Sequence, residues 1–495
     1  MRCNYLFSGL ALSAFAYAGP VCPRDDAIKN FIYIVPDGYG PASQTMARDF
    51  TSLMNGAKAD APVSISLPAD ELVIGNVRTC SSDSLITDSA ASATAFACGV
   101  KTNNGVIALD EDGKPVGSIL EAAKLDGLKT GLVVTSRITH ATPAGYSAHV
   151  PDRDLENTIA EHQIGYSHPM GSVVDILMGG GRCHFLPQSD ENSCRNDDID
   201  LLSWANDQGF NTLTDLDGFK ALNNGSDAKL PYIGLFNDDH MQYELDREPS
   251  KEPALHEMVT TALNSLKEAT SSSQKGYFLM IEASRIDHAG HANDAAGHLH
   301  EVLEYNKVMD LVRSWINNHP DTIMLSAADH ECGGLTLNGF NPLPLKDVSS
   351  TTTVLEKKFE AYDGDSPADY LKNTILPAYG ITNATEDEIE DLVELKGTGK
   401  FGMSLGHMLA ERAGVHWSTG DHTAVDVTLF GHAAGKRVLE LKGEMAGNWD
   451  NTQLPGYIEK TLGVDIKDAT KELRKNGVDW VPKTTMAKRD HTHKD

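Results

Sequence analysis

The sequence predicts an α/β protein: a three-layer α/β/α sandwich built on a large, mostly parallel central sheet. Three observations carry this expectation. Short runs of continuous apolar residues recur along the chain, stretches with helical periodicity separate them, and acidic or imidazole side chains gather just beyond them. Uninterrupted apolar strands are buried on both faces, which is the mark of a parallel sheet covered by helices.

In chain order the candidate strands are FIYIV (Phe31–Val35), GLVVT (Gly131–Thr135), YFLMIEA (Tyr277–Ala283), TIMLSA (Thr322–Ala327) and VDVTLF (Val425–Phe430). Helical patterns lie between them at Gly117–Gly127, Ala254–Ala269 and His298–Asn318. Residues 180–200 are polar and carry two cysteines, which suggests a surface insertion. Residues 335–402 hold few strand patterns and much Gly, Thr, Asp and Glu, so they read as a subdomain inserted before the last strand. No internal repeat or low-complexity tract is present in the sequence.

Bulk composition narrows the function classes. The 495 residues are 40% hydrophobic, enough for a sizeable core, and 42 basic residues against 70 acidic ones give a formal charge of −28. So acidic a chain argues against nucleic acid or an anionic membrane as a partner and leaves room for bound cations. Residues 1–18 read as a signal peptide, with Arg2, an apolar core from Leu6 to Ala16 and a small-residue cleavage site at Ala16–Ala18. The apolar run is too short to span a bilayer, and the polar end of the chain lacks the hydrophobic tail of a lipid-anchor signal, so no membrane anchor is expected. Residues 19–495 would then form the mature part of a secreted or secretory-pathway protein. Secretion permits disulfides; with Cys3 removed in the signal segment, Cys183 and Cys194 look like the ends of a closed loop, and the other four cysteines remain open. Asn224 and Asn383 match the glycosylation sequon.

The residues beyond the apolar runs carry the chemistry. Asp37 follows the first run, His140 and Thr142 the second, and Glu282, Asp287 and His291 belong to the third or follow it. Asp329 and His330 follow the fourth, while His422 precedes the last. Ligands of open α/β sheets bind beyond the carboxyl ends of the strands. Taken singly, each residue has a bland account: Asp37 as a turn-and-cap residue, Asp287 and His291 in an exposed turn, Asp329 and His330 at a satisfied strand end. Together they would bury many like charges on one edge, which is very costly without cations. Imidazole mixed with carboxylate suits zinc, whereas carboxylate with hydroxyl suits magnesium. Two zinc ions form the clamp used for in-line phosphoryl displacement, and a serine among them would be a nucleophile. The stretch TDSAASATAFACG (Thr87–Gly99) offers Ser89 for that role, with Asp88 beside it as a helix cap. Arg153 offers a guanidinium fork for two phosphate oxygens. No P-loop or dinucleotide fingerprint adjoins a strand.

These stretches, with VPDGYG (Val35–Gly40), RITHATPAGYSAHVPDR (Arg137–Arg153), IEASRIDHAGHAND (Ile281–Asp294), SAADHECGGLT (Ser326–Thr336) and GDHTAVDV (Gly420–Val427), resemble the alkaline phosphatases along most of the mature chain, with a fungal flavour. The resemblance implies hydrolysis of a broad range of phosphate monoesters through a phosphoserine on Ser89. It implies a first zinc on Asp287, His291 and His422, which later activates the attacking water. A second zinc on Asp37, Asp329 and His330 would favour the Ser89 alkoxide. A magnesium would bind Asp37, Thr142 and Glu282, Arg153 would clamp phosphate, and Asp88 would orient Arg153. It also implies a homodimer and a crown-type insertion at about 335–402. The chain departs from the pattern at His140 and His288, where well-known bacterial members carry Asp and Lys. His140 can bind metal directly, which opens the third site to zinc or cobalt, and His288 is expected beside the ligands. The competing readings are a superfamily phosphodiesterase or sulfatase, and an inactive secreted metal-binding protein. A sulfatase needs a motif that DSAAS does not match, and an inactive protein predicts a missing nucleophile, ligand or arginine.

Overall fold

The computed structural model describes residues 27–483. The expected signal segment 1–18 and Cys22 lie outside them. Fourteen strands occur among the described residues: β1 (Asn30–Pro36), β2 (Val73–Arg78), β3 (Lys129–Arg137), β4 (Ile176–Gly180), β5 (Asn211–Leu213), β6 (Tyr232–Leu235), β7 (Tyr277–Ala283), β8 (Thr322–Ala327), β9 (Glu331–Cys332), β10 (Leu335–Leu337), β11 (Val415–Trp417), β12 (His422–Thr423), β13 (Val427–Ala433) and β14 (Gly447–Asp450). Ten of them form one sheet in the order β14-β2-β13-β8-β1-β7-β3-β4-β6-β5. Only β13 runs antiparallel to its neighbours, so the expected mostly parallel sheet is present. The last strand begins two residues later than its apolar pattern suggests, because Val425 and Asp426 lie outside the ladder. The remaining four strands make two short ribbons, β10 with β11 and β12 with β9.

The apolar runs end up in the middle of the sheet, where burial is complete. Every residue of β1, β7 and β8 is buried. Phe31 and Tyr33, two residues apart on β1, point to one face: Phe31 meets Tyr457, and Tyr33 meets Phe96 edge-on at 5.4 Å between ring centroids. Phe96 belongs to the helix Ser89–Cys98, so this aromatic pair, worth about 0.5–1.5 kcal/mol, holds that helix against the strand. The opposite face carries the helices Leu255–Thr270 and Ala295–Asn318, whose apolar stripes pack on the sheet and on each other. The region 180–200 is less superficial than its polarity suggests. Cys183 and Phe185 are buried, Cys183 is bonded to Cys194 as expected, and the buried Arg195 guanidinium pairs with Glu161 and Asp197.

The helix Ser89–Cys98 is buried at all ten positions. Its run of Ala, Ser and Thr lets neighbouring backbone approach, and Gly99, with a left-handed φ of 71°, ends it. The helix Ala141–Ser147 lies so close that a Cβ on Gly145 would stand 2.7 Å from the Ala93 Cβ. Gly145→Ala should therefore overpack this contact and lower stability by about 1–3 kcal/mol. Gly443→Ala, in the open helix Arg437–Met445 with nothing within 4 Å, should instead raise it by up to about 1 kcal/mol. Urea midpoints of the two variants moving in opposite directions check the packing.

Candidate active site

The central strands β8, β1, β7 and β3 deliver the site. Glu282 of β7 is the Cα partner of Val35 on β1 and of Val134 on β3, so the ends of these strands lie side by side. Asp37 follows β1, Asp329 and His330 follow β8, and His140 and Thr142 follow β3. Asp287, His288 and His291 come from the helix Arg285–His291 directly after β7. Gly38 turns the chain after Asp37 at a φ of 75°, and a Cβ there would lie 2.5 Å from the Asp287 Cα. His422 arrives by a different route from its neighbours. It pairs with Cys332 in the β12–β9 ribbon, which hangs from the end of β8, and so the ribbon rather than β13 fixes it.

Asp287, His291 and His422 gather in one cluster. His291 Nε2 lies 3.3 Å from Asp287 Oδ2, His422 Nε2 lies 3.5 Å from Asp287 Oδ1, and the two Nε2 atoms are 3.0 Å apart. His291 Nδ1 donates to the Gly420 carbonyl at 2.6 Å and His422 Nδ1 to the Thr87 carbonyl at 3.0 Å. Carbonyls only accept, so each ring, once neutral, turns its Nε2 lone pair toward the other. A cation between them relieves that repulsion, and the backbone acceptors set the tautomers as they do behind metal-bound histidines.

Asp37, Asp329 and His330 form a second cluster. His330 Nε2 lies 3.2 Å from Asp329 Oδ2, 3.7 Å from Asp37 Oδ1 and 3.1 Å from Ser89 Oγ. Its Nδ1 is 3.9 Å from Asp287 Oδ1, so this ring joins the two clusters. The buried atoms that make no hydrogen bond among the described residues include both Asp37 oxygens, Asp287 Oδ1, Asp329 Oδ2, His330 Nδ1, Thr142 Oγ1 and Glu282 Oε1. Their lone pairs at one edge are what divalent cations would satisfy. Without cations the charges oppose one another. Burial and the charges of Asp329 and Asp287 raise Asp37 well above the ordinary carboxylate range. Burial, with Asp287, pushes Asp329 up to about 6. Burial pushes Glu282 up to about 7, although Ser284 and Ser136 donate to its other oxygen. Burial also acts on Asp287, but His291 and His422 outweigh it and hold that carboxyl well below its ordinary value.

Ser89 opens the helix Ser89–Cys98, and Asp88 is both its cap and an arginine partner. Asp88 Oδ1 accepts from Ala91 N at 2.9 Å, and Oδ2 accepts from Gly105 N at 2.8 Å and lies 3.4 Å from Arg153 Nη1. Arg153 Nη2 donates to His140 Nε2 at 2.9 Å. His140 and His288 stand together, 5.5 Å between ring centroids, and a third ring, His240, completes the group at 5.4 and 4.4 Å. His240 went unrecognised in the sequence. It follows β6, a four-residue strand, so the rule that pointed to the other candidate residues would have pointed to it had β6 been read. Cys332 was also missed; its sulfur lies within 4.8 Å of ligand atoms of Asp287, His291 and His422.

The raised Glu282 carboxyl has a measurable consequence in metal-stripped protein. Its folded value of about 7 against an ordinary 4.5 means that its contribution to stability is present below pH 4.5 and lost as pH rises through about 7. Metal-stripped Glu282→Gln should thus melt above metal-stripped wild type at pH 8, with the margin closing toward pH 4.5. A margin independent of pH would show that this carboxyl is not strained.

Known proteins share both fold and sequence with this chain. The family model for alkaline phosphatase matches residues 28–464. The alkaline phosphatase of Schizosaccharomyces pombe is 39% identical over 467 residues, spanning 92% of this chain and 85% of that protein. The repressible alkaline phosphatase of Saccharomyces cerevisiae is 39% identical over 476 residues, spanning 90% of this chain and 83% of that protein. Among solved structures, Thermus thermophilus alkaline phosphatase superimposes with a TM-score of 0.75 at 26% identity, covering 91% of this chain and 96% of that one. By family model, by relatives and by fold, the chain belongs to the alkaline phosphatase family.

Proposed function

We propose that this phosphatase hydrolyses phosphate monoesters through a covalent phosphoserine on Ser89, with recognition concentrated on the phosphoryl group and little demand on the alcohol. The observation that carries the reading is Ser89 Oγ at a helix N-terminus, 3.1 Å from His330 Nε2. We assign zinc to Asp287, His291 and His422, and a second zinc to Asp37, Asp329 and His330. Magnesium is assigned to Asp37, Thr142 and Glu282, with His140 and His288 opening that site to zinc or cobalt. The donor types support this division, imidazole with carboxylate against carboxylate with hydroxyl. Bound there, the cations would neutralise the carboxylates and act as Lewis acids toward phosphate and its attacking group.

The protein's own groups supply the remaining chemistry. The Arg153 fork, braced by Asp88, takes two phosphate oxygens and holds phosphorus before Ser89. The helix N-terminus places backbone N–H groups and a partial positive charge where the phosphoserine would form. The Ser89 Oγ–P bond forms as the ester P–O bond breaks and the alcohol leaves. Water then attacks phosphorus, inorganic phosphate departs and Ser89 regains its proton.

Residues 19–495 would form one catalytic domain in which 335–402 is the crown-type insertion. The helices Thr352–Glu360 and Glu386–Glu394, packed on Phe401–Ala413 and away from the ten-stranded sheet, support this. Residence in the secretory pathway accords with the Cys183–Cys194 bond and with exposed sequons at Asn224 and Asn383. The homodimer rests on the family resemblance, and no described helix is long and apolar enough to cross a membrane.

Ser89→Ala should lower turnover of an aryl phosphate by at least about a thousandfold; wild-type rates in that variant would remove Ser89 from the chemistry. Arg153→Ala should lower kcat/KM by about 10²–10³ and weaken inhibition by inorganic phosphate in parallel. Chelation should abolish activity, and zinc with magnesium should restore it. Full activity in metal-free protein would contradict the ligand assignment.

A further inference from the structure

A buried cluster outside the site stands at the root of the segment that carries Arg153. Glu121, His149 and His168 form it. His149 Nε2 and His168 Nε2 lie 2.8 and 2.9 Å from Glu121 Oε1, and Glu121 Oε2 accepts from Ser118 N at 2.7 Å. His149 Nδ1 faces the Ala108 carbonyl at 3.0 Å. A carbonyl and a carboxylate only accept, so His149 donates from both ring nitrogens. Trp480 packs edge-on against the ring, 5.4 Å between centroids.

From this cluster a short antiparallel ladder leads to the arginine. His149 binds Ala108, Val150 and Ile107 exchange backbone hydrogen bonds at 3.1 and 3.0 Å, and Arg153 N donates to the Gly105 carbonyl at 2.8 Å. Gly105 N in turn donates to Asp88 Oδ2, the oxygen beside Arg153 Nη1. The ladder that His149 pins at one end therefore holds Arg153 and its partner at the other. The pinned end is strained. Ala108 has a φ of 46°, a costly conformation for a residue with a Cβ. It persists because Ala108 N donates to Thr94 Oγ1 at 2.9 Å, while its carbonyl accepts from Val116 N at 2.9 Å and from His149. Thr94 belongs to the helix that Ser89 opens.

We infer that His149 and Glu121 are positioning residues for phosphate: by pinning the segments 105–108 and 149–153 to each other, they set the place of the Arg153 fork. The inference rests on the reading of Arg153 as the phosphate clamp. Both residues act through that arginine and take no part in the chemistry. A fork that binds two oxygens at once is demanding of position, and a misplacement of about 1 Å can cost about 10²-fold. Asp88 and His140 hold the guanidinium end of Arg153, and the ladder holds its backbone end. Loss of the pin would let the strained turn at Ala108 relax and carry the backbone end with it.

The test is a double-mutant cycle read by competitive inhibition with inorganic phosphate. His149→Phe keeps a ring in place and removes both donors, and Glu121→Gln keeps the shape of the side chain and removes its charge. Each is combined with Arg153→Ala. Alone, each should raise the phosphate inhibition constant about tenfold. In the Arg153→Ala background each should change it by less than about twofold, because the two sites act as one. Divalent-ion content by native mass spectrometry should match wild type in both single variants. An equal rise with and without Arg153, or no rise in a folded variant, overturns the inference and leaves the Arg153 reading standing. Loss of the fold in both variants also overturns it, because the cluster would then hold the domain at large rather than this ladder. An unchanged inhibition constant in Arg153→Ala alone would instead sink the Arg153 reading, and the inference with it.

Discussion

Four carboxylates, those of Asp37, Glu282, Asp287 and Asp329, are buried together beyond one edge of the sheet, and the rest of the site is arranged around that repulsion. Burying even one ionised carboxylate is expensive, and grouping several multiplies the cost unless opposite charge lies among them. Arg153 is committed to Asp88 and His140. The imbalance shows in the raised carboxyls of Asp37, Asp329 and Glu282 and in oxygens that no neighbour satisfies. Bound cations would relieve that imbalance.

The contrast with a second buried cluster makes the point. Glu121, His149 and His168 also lie together, fully shielded, away from Ser89. There Glu121 Oε1 accepts from both imidazoles at 2.8 and 2.9 Å, and its other oxygen caps the Ser118 N–H. Those lone pairs are spent, and Glu121 is held far below its ordinary value despite burial, chiefly by His149. Similar residues therefore read as packing in one place and as chemistry in another, and hydrogen-bond satisfaction separates them.

Much of this was legible because the central strands are continuous apolar runs and their partners follow within a few residues. Asp37, Asp329 and His330 could be placed from the ends of β1 and β8 alone. The flanks were harder. β2 buries only Ile74 and Val77, β4 and β6 are short and carry glycines in ILMGG and YIGL, and β5 has three residues, so none stands out as an apolar run. His240 was hidden for that reason, although it completes a three-ring group with His140 and His288. The β12–β9 ribbon was invisible for another reason: two-residue strands have no periodicity, and their pairing is set by tertiary position. The stretch around Ser89 left cap and nucleophile in competition, and the geometry gives the cap to Asp88 and leaves Ser89 facing His330.

The central claim is that the carboxylate edge is a cation site, and native mass spectrometry of the purified chain tests it most directly. The account predicts a folded chain carrying divalent ions at all three assigned positions, with Asp37→Ala losing more than one of them because that side chain is shared. A folded, fully active chain of bare polypeptide mass would contradict it.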